Sequence, residues 1–397
     1  MKIPRRLFAF CLLFSAALLF SSPQARQNAP GAPPAPAKTN YIAYVGTYTT
    51  KTASKGIYAF RFDAQKGELK EIGVAAETTD PSFLVVHPNG QFLYAVNEVG
   101  NFNGGNTGGI SAFSVDPKTA KLTLLNQVPS RGAGPCYISL DKNNAFALVA
   151  NYDSGNIASF PVMTDGTLRT ASGFVQHSGS GPDKERQEGP HAHWIGTSPD
   201  NRFALVADLG LDEIIVYGFD SSTGTFMPSN NGFAKVNPGA GPRHVAFSPN
   251  GKFVYVLTEM ESSVTAFSYN AKSGTLAKLQ TLSALPAHYS GRKEAAEIAV
   301  HPSGKFLYTS NRGHDSIAIF AIDQKKGTLH SLGQVLTGGK TPRHFAIDPT
   351  GTYLLAENQE SNNIVIFHID QETGSLLPTG HSVEVPSPVC ITFLAAE

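Results

Sequence analysis

The chain has 397 residues, of which 41% are hydrophobic and 10% aromatic, and its 31 basic and 31 acidic side chains give a formal net charge of zero. This balance excludes the overall electrostatic attraction on which nucleic-acid and membrane-surface proteins depend, so neither partner is expected. The apolar fraction is large enough to form a core and excludes a disordered chain.

The first 25 residues have the layout of a secretory signal peptide. Lys2, Arg5 and Arg6 precede an apolar run over 7–20, and small and polar residues follow it. A membrane-spanning helix needs about 20 apolar residues, so the run favours a cleaved signal over a retained anchor. We predict export to the periplasm or the extracellular space, with no membrane contact after cleavage. Residues 26–39, rich in Pro and Ala, are predicted to be a linker.

The remaining residues, 40–397, contain an internal repeat. Its core is a turn, an apolar strand and a polar pair, as in HPNGQFLYAVNE (87–98) and SPNGKFVYVLTE (248–259). The turns of successive copies are 47 to 57 residues apart, at Gly90, Asn144, Asn201, Gly251, Gly304 and Gly351. An alternating hairpin follows each copy, in most cases with a glycine turn, and a seventh such hairpin precedes the first copy.

This period predicts an all-β fold, a seven-bladed β-propeller with four antiparallel strands in each blade. Most first strands are expected to begin after a proline. Residues 41–48 match a second strand without a first, and residues 387–395 match a first strand without a second. We predict that these two segments pair in one blade and close the ring, because closure removes exposed sheet edges.

Cysteine and motif content give no sign of a cofactor. Cys136 and Cys390, which follow the signal segment, do not have the spacing of a disulfide framework. We expect both to be small buried hydrophobic residues. The CxxC, HExxH, GxSxG, P-loop and GxGxxG motifs are missing from the sequence. His191 and His193 share one side of a strand, but without a third ligand at a suitable spacing we predict no metal site.

Antiparallel pairing predicts where functional residues lie. The start of each first strand lies beside the end of the second strand, so both open on one face near the axis, where loop ends commonly carry function. The residues at these positions are Thr47 and Tyr48; Asn97 and Glu98; Asn151 and Tyr152; His191, His193 and Asp208; Arg243, His244 and Glu259; Glu297, Asn311 and Arg312; and Arg343, His344, Glu357 and Asn358. Titratable groups are concentrated in 191–358, an asymmetry that a structural ring does not need.

Several of these residues also have a structural interpretation. Asp208 is suited to capping a turn, and His244 and His344, which repeat at one position, are suited to hydrogen-bonded core roles. Arg243 and Arg343 could each pair with a glutamate of their own blade. The insert SGSGPDKERQEG (178–189) could be a lid, although its charge and glycine content are more typical of a solvated loop.

Four phrases resemble one known family. They are GPHAH (189–193), VADLGLD (206–212), GPRHVAFSPNGKFVYVLTE (241–259) and SNRGHDSIAIF (310–320). In this order they resemble the seven-bladed lactonases, which include the bacterial propeller-type 6-phosphogluconolactonase; the fungal carboxy-cis,cis-muconate cyclising enzyme is related. The resemblance covers about residues 40 to 395.

The resemblance implies a small-molecule lactone substrate and a set of catalytic residues. The family's proposed site falls on His191 or His193, Arg243, Glu259 and Arg312. Glu259 or a neutral histidine would be the base, and an arginine would stabilise the developing oxyanion. Other members of the predicted ring would bind the substrate: Asn97, Asn151, Asp208, His244, Glu297, Arg343 and Glu357.

The sequence favours a sugar-type lactone over a phosphorylated one. The signal segment separates the protein from cytosolic metabolites, and the predicted ring carries three arginines against five carboxylates, whereas a phosphate site is usually richer in cations. Two other functions stay open at this point. One is an exported binding propeller without catalysis, and the other is a cycloisomerase that forms a lactone. Nothing in the sequence indicates the oligomeric state.

Overall fold

The computed structural model describes Met1 and residues 39–396. Apart from Met1, the predicted signal peptide lies outside the described residues. The predicted linker, 26–39, lies outside them as well, except for its last residue. Within the described part, the only helical element is the 3-10 turn Phe102–Gly104. No helix of that part is long and apolar enough to span a lipid bilayer.

The strands form seven antiparallel sheets of four strands each, which confirms the predicted seven-bladed β-propeller. We number the blades along the chain and name the strands of each blade a to d. The a strands of neighbouring blades contact one another all the way round the ring, so they lie innermost.

The bounds of the strands, from a to d, are as follows. Blade 1 contains Leu84–Val86, Phe92–Asn97, Gly109–Val115 and Leu122–Pro129. Blade 2 contains Pro135–Leu140, Phe146–Asn151, Asn156–Pro161 and Gly173–Gln176. Blade 3 contains Ala192–Thr197, Phe203–Asp208, Glu213–Asp220 and Thr225–Lys235. Blade 4 contains Pro242–Phe247, Phe253–Thr258, Ser263–Asn270 and Thr275–Ser283. Blade 5 contains Glu294–Val300, Phe306–Arg312, Ser316–Ile322 and Leu329–Leu336. Blade 6 contains Pro342–Ile347, Tyr353–Asn358, Asn363–Ile369 and Leu376–Glu384. Blade 7 contains Pro388–Ala395, Asn40–Thr47, Gly56–Asp63 and Glu68–Glu77.

Blade 7 closes the ring as predicted. The last strand, Pro388–Ala395, pairs antiparallel with the first, Asn40–Thr47, and Gly46 lies opposite Cys390. The first strand therefore has a partner on both sides. Closure leaves no strand edge open at the junction of the two chain ends.

The repeated glycine of the c–d hairpin docks six of the seven blades onto the preceding one, while blade 1 has Ala120 at this position. Gly274, for example, has a φ of +72°, and a Cβ atom there would lie 2.7 Å from the ring of Phe203. Only glycine satisfies both the left-handed backbone and this close approach. The same contact recurs around the ring, as Gly67 on Tyr353, Gly166 on Phe92, Gly224 on Phe146, Gly327 on Phe253 and Gly374 on Phe306. This inter-blade contact explains why glycine and an aromatic residue repeat together in the sequence.

Candidate active site

A cavity of about 290 Å³ opens on the face where strands a begin and strands b end. Its lining residues are Glu98, Cys136, Tyr152, Arg186, His193, Glu259, Glu294, Arg312 and Arg343. They come from several blades, so the ring as a whole assembles the cavity. This is the face that the antiparallel pairing predicted.

β-Bulges in the a strands aim side chains at the cavity. In blade 4, Pro242 lies opposite Thr258 and His244 opposite Leu257, so Arg243 is the extra residue of a bulge. A bulge re-aims the side chain of its extra residue and is frequent beside active sites. The equivalent extra residues of three further blades are Cys136, His193 and Arg343.

This register distinguishes the positions of the two histidines of GPHAH. Ala192 occupies the pairing position that Pro242 has in blade 4, so His193 is the structural equivalent of Arg243. His191 instead stacks on Tyr152, with ring centroids 4.5 Å apart. Its Nδ1 lies 3.0 Å from the Tyr152 carbonyl oxygen, and its Nε2 lies 3.3 Å from Glu188. His193 lines the cavity, whereas both nitrogens of His191 are already engaged.

In these b strands, the residue that lines the cavity is the one that follows the last residue paired with strand c. Glu98, Tyr152 and Glu259 directly follow strand b of their blades, and Arg312 is the equivalent residue of blade 5. Successive side chains of a strand point to opposite sides. The residue before each of these four therefore faces away from the cavity.

Three predicted substrate-binding residues have this outward position. Asn97 donates to the Thr79 carbonyl oxygen at 2.6 Å, and Asn151 donates to the Ser130 carbonyl oxygen at 3.0 Å. Asp208 lies 2.6 Å from His177 Nδ1 and accepts the His191 backbone N–H at 2.8 Å. The structure does not bring these three side chains into the cavity, and Asp208 has the capping role considered above.

Glu259 is the centre of the cavity's ion pairs. Its Oε1 lies 2.7 Å from Arg186 Nη2, and its Oε2 lies 3.1 Å from Arg243 Nε and 2.9 Å from Arg312 Nη2. Burial alone would raise the pKa of Glu259, but Arg312 and Arg243 hold it well below its usual value. The geometry therefore fits Glu259 as the group that orients three guanidinium groups.

Arg243 keeps hydrogen-bond donors available beside the cavity. Its Nε donates to Glu259, and its Nη1 donates to the Ala296 carbonyl oxygen and lies 3.3 Å from His244 Nε2. Nη2 makes no hydrogen bond with any described residue. Burial, together with Arg312 and Arg343, lowers the pKa of Arg243 to about 10. The guanidinium therefore remains charged at neutral pH.

His193 is a buried neutral imidazole at neutral pH. Burial and the nearby Arg243 and His244 lower the pKa of His193 well below its usual value. Nδ1 lies 3.7 Å from the Cys136 sulfur atom, and Nε2 has no hydrogen-bond partner among the described residues. Burial raises the pKa of the Cys136 thiol well above its usual value, so this thiol stays protonated. His193 can thus accept a proton, whereas Cys136 is not a nucleophile.

Arg343 is a cation without a carboxylate partner. Its Nη2 donates to Tyr48 Oη at 2.7 Å, and Tyr48 Oη lies 2.9 Å from both carboxylate oxygens of Glu98. No carboxylate of the described residues lies within 4.0 Å of the Arg343 guanidinium. Burial raises the pKa of Glu98, although Arg343 opposes this. The pairing of Arg343 with Glu357 that the sequence allowed does not form.

A chain of buried acid and base groups lies behind Arg243. His244 Nδ1 is 2.9 Å from Glu297 Oε2, His344 Nε2 is 3.4 Å from the same oxygen, and His344 Nδ1 is 2.6 Å from Glu357 Oε2. His244, Glu297 and Glu357, all predicted to bind substrate, are members of this chain and not of the cavity lining. The hydrogen-bonded core role considered for His244 and His344 fits these contacts.

Donor and acceptor chemistry assigns the protons of this chain. A guanidinium can only donate, so His244 Nε2 accepts from Arg243 and His244 Nδ1–H donates to Glu297. Glu297 Oε1 accepts the Ile298 backbone N–H at 2.9 Å. Burial and Glu297 raise the pKa of Glu357 well above its usual value, so a protonated Glu357 donates to His344. Burial also raises the pKa of Glu297, but His344, Arg243 and the Ile298 hydrogen bond oppose this rise, so we assign Glu297 as the ionised carboxylate of the chain.

Arg186 and Glu294 also line the cavity but were not among the predicted site residues. Arg186 belongs to the insert 178–189, where no strand period fixes the direction of a side chain. The insert's length and its position directly before His191 were the only signals in the sequence. Glu294 begins strand a of blade 5 and lies opposite Arg312 of strand b. The pairing of strand a shifts register between Ala295 and Ile298, so the repeat pattern did not predict where Glu294 lies.

The cavity carries more positive charge than the predicted ring. Asp208, Glu297 and Glu357 do not line it. Its carboxylates are Glu98, Glu259 and Glu294, and its arginines are Arg186, Arg312 and Arg343, with Arg243 directly bonded to Glu259. The count of three arginines against five carboxylates therefore does not describe the cavity, whose lining carries three arginines and three carboxylates, with Arg243 as a further cation bonded to Glu259.

Other features of the described residues offer less chemistry. A larger groove of about 750 Å³ has charged lining residues such as Lys51 and Glu360, and all of these charged residues are exposed. Cys136 and Cys390 are free and buried, as predicted. Within the described part of the chain, no three His, Cys, Asp or Glu side chains are grouped so that they could hold a metal ion. The small cavity is the place where buried charged groups converge.

Comparison with known proteins gives the same family along most of the chain. A family model described as "Lactonase, 7-bladed beta-propeller" matches residues 42–393. The 6-phosphogluconolactonase of Bacillus subtilis is 40% identical over 291 residues, which are 73% of this chain and 80% of that protein. The 6-phosphogluconolactonase of Formosa agariphila is 38% identical over 296 residues, 73% of this chain and 81% of that one. The structure of the periplasmic gluconolactonase of Pseudomonas aeruginosa is 33% identical, has a TM-score of 0.84 and covers 90% of this chain and 100% of its own.

Proposed function

The chain belongs to the seven-bladed β-propeller lactonase family and is a lactone hydrolase, and from that premise we propose how the cavity hydrolyses its substrate and which lactones it takes. The observation that carries the proposal is the convergence of His193, Arg243 and Arg312 around Glu259 at one cavity. Hydrolysis of a lactone needs a base for water and a donor for the developing oxyanion. Both kinds of group are present there.

His193 is the proposed base. Glu259 already accepts from three guanidinium groups and both nitrogens of His191 are engaged, whereas Nε2 of His193 has no partner among the described residues. His193 Nε2 takes a proton from water while the water oxygen attacks the carbonyl carbon of the lactone. The imidazolium that forms then protonates the ring oxygen as its bond to the carbonyl carbon breaks. The product is the open-chain hydroxy acid, which loses its carboxyl proton to solvent.

Arg243 and Arg312 are the proposed oxyanion donors. Glu259 holds both guanidinium groups in place. Donors that are oriented before the reaction stabilise the negative charge of the tetrahedral intermediate without further reorganisation. Removing one such donor typically costs about 10²- to 10³-fold in kcat.

A sugar-type lactone is the proposed substrate, and an anionic substituent is compatible with the cavity. The volume of about 290 Å³ lies at the small end of the range for ligand sites, near ~300 Å³, which suits one sugar ring. Arg343 lacks a carboxylate partner, and an arginine can hold a phosphate or carboxylate through two parallel hydrogen bonds. Relatives named for a phosphorylated and an unphosphorylated sugar lactone support this range.

Export to the periplasm or beyond is part of the proposal. The signal-like layout of the first 25 residues supports it. The periplasmic gluconolactonase of Pseudomonas aeruginosa supports it as well. An exported enzyme would meet lactones outside the cytosol, so its range should include unphosphorylated sugar lactones beside lactones with an anionic substituent.

Acid release measured by pH-stat tests this function. The purified protein is given glucono-1,5-lactone, its 6-phosphate and a muconolactone, with spontaneous hydrolysis subtracted. We expect acid release from the sugar lactones, and a kcat about 10²- to 10³-fold lower in Arg243→Met. The exposed Arg169→Met is the matched control and should behave as the wild type. No acid release from any of these lactones, or an unchanged Arg243→Met, would contradict the proposal.

A further inference from the structure

We infer that Arg186, carried into the mouth by the segment 181–188, is a substrate-contacting residue that selects lactones with an anionic substituent. This inference rests on the proposed function. It concerns the insert that sequence patterns describe as a solvated loop, and its argument begins with how the insert is held. We call residues 181–188 the strap.

A buried glutamine fastens the strap to blade 3. The side chain of Gln187 is fully buried, and its Nε2 donates to the Leu209 carbonyl oxygen and to Asp212 Oδ1, both at 2.8 Å. Gln187 Oε1 accepts the Asp183 backbone N–H at 3.2 Å. If this side chain moved out, the buried polar groups of blade 3 that it bonds would lose their hydrogen-bond partner. Gln187 therefore fixes the strap at this point.

Asp212 also connects the strap to blade 4, which carries Arg243. Asp212 Oδ1, which accepts from Gln187, also accepts the backbone N–H of Gly241 at 2.8 Å. Gly241 lies two residues before Arg243 in the chain. The strap and the bulge that presents Arg243 are therefore held by the same carboxylate.

The backbone of the strap is folded before any ligand arrives. Asp183 Oδ1 accepts the backbone N–H groups of Glu185 and Arg186 at 2.9 and 3.0 Å. The Gln187 backbone N–H donates to the Asp183 carbonyl oxygen at 2.9 Å. This compact turn leaves the Arg186 side chain directed at the cavity, where its Nη2 reaches Glu259 Oε1 at 2.7 Å and Tyr152 Oη at 3.3 Å.

Arg186 is the guanidinium of the Glu259 cluster that can change partner. Its side chain is 39% exposed, whereas those of Arg243 and Arg312 are 3% and 7% exposed. If Arg186 turns towards a ligand, Glu259 keeps two guanidinium partners and no buried carboxylate is left unpaired. Only Nη2 of Arg186 is bonded to described residues, so the remaining donors are available to a phosphate or carboxylate group.

The position of Arg186 predicts effects on binding more than on chemistry. It enters from the rim, whereas His193, Arg243 and Arg312 lie deeper, so it should meet the substituent of the lactone and not its carbonyl group. Loss of a contact made equally in the ground state and the transition state raises KM and leaves kcat unchanged. Arg186 therefore acts on specificity.

Kinetics with two lactones test the inference. Wild type, Arg186→Gln, Arg186→Lys and Lys184→Gln are assayed with glucono-1,5-lactone and with its 6-phosphate. For Arg186→Gln we expect a KM at least 10-fold higher for the 6-phosphate, a change below 3-fold for the neutral lactone, and kcat values near wild type. Arg186→Lys should recover part of the loss. Lys184 is an exposed cation of the same strap, so Lys184→Gln should match the wild type.

Each other outcome overturns either this inference or the proposed function. Equal loss with both lactones in Arg186→Gln would indicate a structural role for Arg186, and unchanged KM values would indicate no substrate contact. A wild type that hydrolyses the neutral lactone and not the 6-phosphate would also overturn the anion selectivity. A wild type that hydrolyses neither lactone would instead contradict the proposed function.

Discussion

The surroundings of the buried Glu357 carboxyl group determine that it is protonated. The residue is fully buried, its Oε2 is 2.6 Å from His344 Nδ1, and its Oε1 has no hydrogen-bond partner. Burial and the nearby Glu297 raise the pKa of Glu357 well above its usual value. An ionised carboxylate would leave one oxygen desolvated and unpaired, so the protonated form is the stable one.

Substitution of Glu357 with Gln should therefore change how stability depends on pH. Because the pKa of Glu357 is higher in the folded than in the unfolded chain, its stabilising contribution is complete below the unfolded pKa and falls as pH rises towards the folded pKa. In that interval the wild type should lose about 1.4 kcal/mol per pH unit relative to Glu357→Gln. Unfolding free energies measured in denaturant between pH 5 and 8 give this difference.

The matched control is Glu297→Gln, because Glu297 is the ionised acceptor of the same chain. Its amide group would meet donors where the carboxylate accepts, so we expect Glu297→Gln to destabilise the protein throughout this range. Parallel pH curves for the wild type and Glu357→Gln would show that Glu357 is ionised in the folded protein.

Individual site residues differed in how well the sequence predicted them. Arg243, Glu259 and Arg312 stand at fixed positions of a repeat and within family phrases, so their place near the mouth could be predicted. Arg186 could not, because it lies in an insert without a period, and its direction depends on the buried contacts of Gln187. The separate roles of His191 and His193 depend on a shift in strand register that only the paired structure reveals.

At the scale of strands, the bulge decides which side chain faces the cavity. The prolines correctly predicted where several a strands begin, as at Pro242 and Pro342. The extra residue that follows each of them was not predictable, because a bulge depends on the partner strand and has no signal of its own in the sequence. Asn97 and Asn151 were expected at the cavity because they lie at the ends of b strands, but strand alternation turns them into their own blades.

The C-terminal strand provides a direct test of ring closure. A chain ending at Ser387 would lack the buried Val389, Cys390 and Ile391 and would expose one edge of strand Asn40–Thr47. We expect this protein to lose the cooperative thermal transition of the wild type, because blade 7 would no longer be complete. Circular dichroism during heating measures the transition.

Removal of residues 1–38 is the control for that truncation. Blade 7 remains intact in such a chain, since its strand b begins at Asn40. It should unfold at the temperature of the full chain. A chain ending at Ser387 that also unfolds at that temperature would refute closure by the two terminal strands.

The whole ring combines a repeated scaffold with an unrepeated site. Six of the seven blades share a hairpin glycine that packs on an aromatic ring of the preceding blade, and this regularity made the fold predictable from the sequence. The cavity uses different residues from each blade, and its charge depends on which side chains reach it. The sequence count therefore overestimated its carboxylates, since Glu297 and Glu357 lie behind Arg243 in the buried chain.

The central claim is that lactone hydrolysis takes place in this cavity with His193 as the base. A comparison of His193→Asn with His191→Asn tests it most directly, because the two histidines lie on one strand segment and only His193 lines the cavity. Both variants are first shown to be folded, and background-corrected acid release from glucono-1,5-lactone is then measured by pH-stat. We predict that His193→Asn lowers kcat by about 10²- to 10⁴-fold, and that His191→Asn lowers it by less than ~10-fold, since both ring nitrogens of His191 are engaged and take no part in proton transfer. A folded His193→Asn variant that retains the wild-type kcat would contradict the claim.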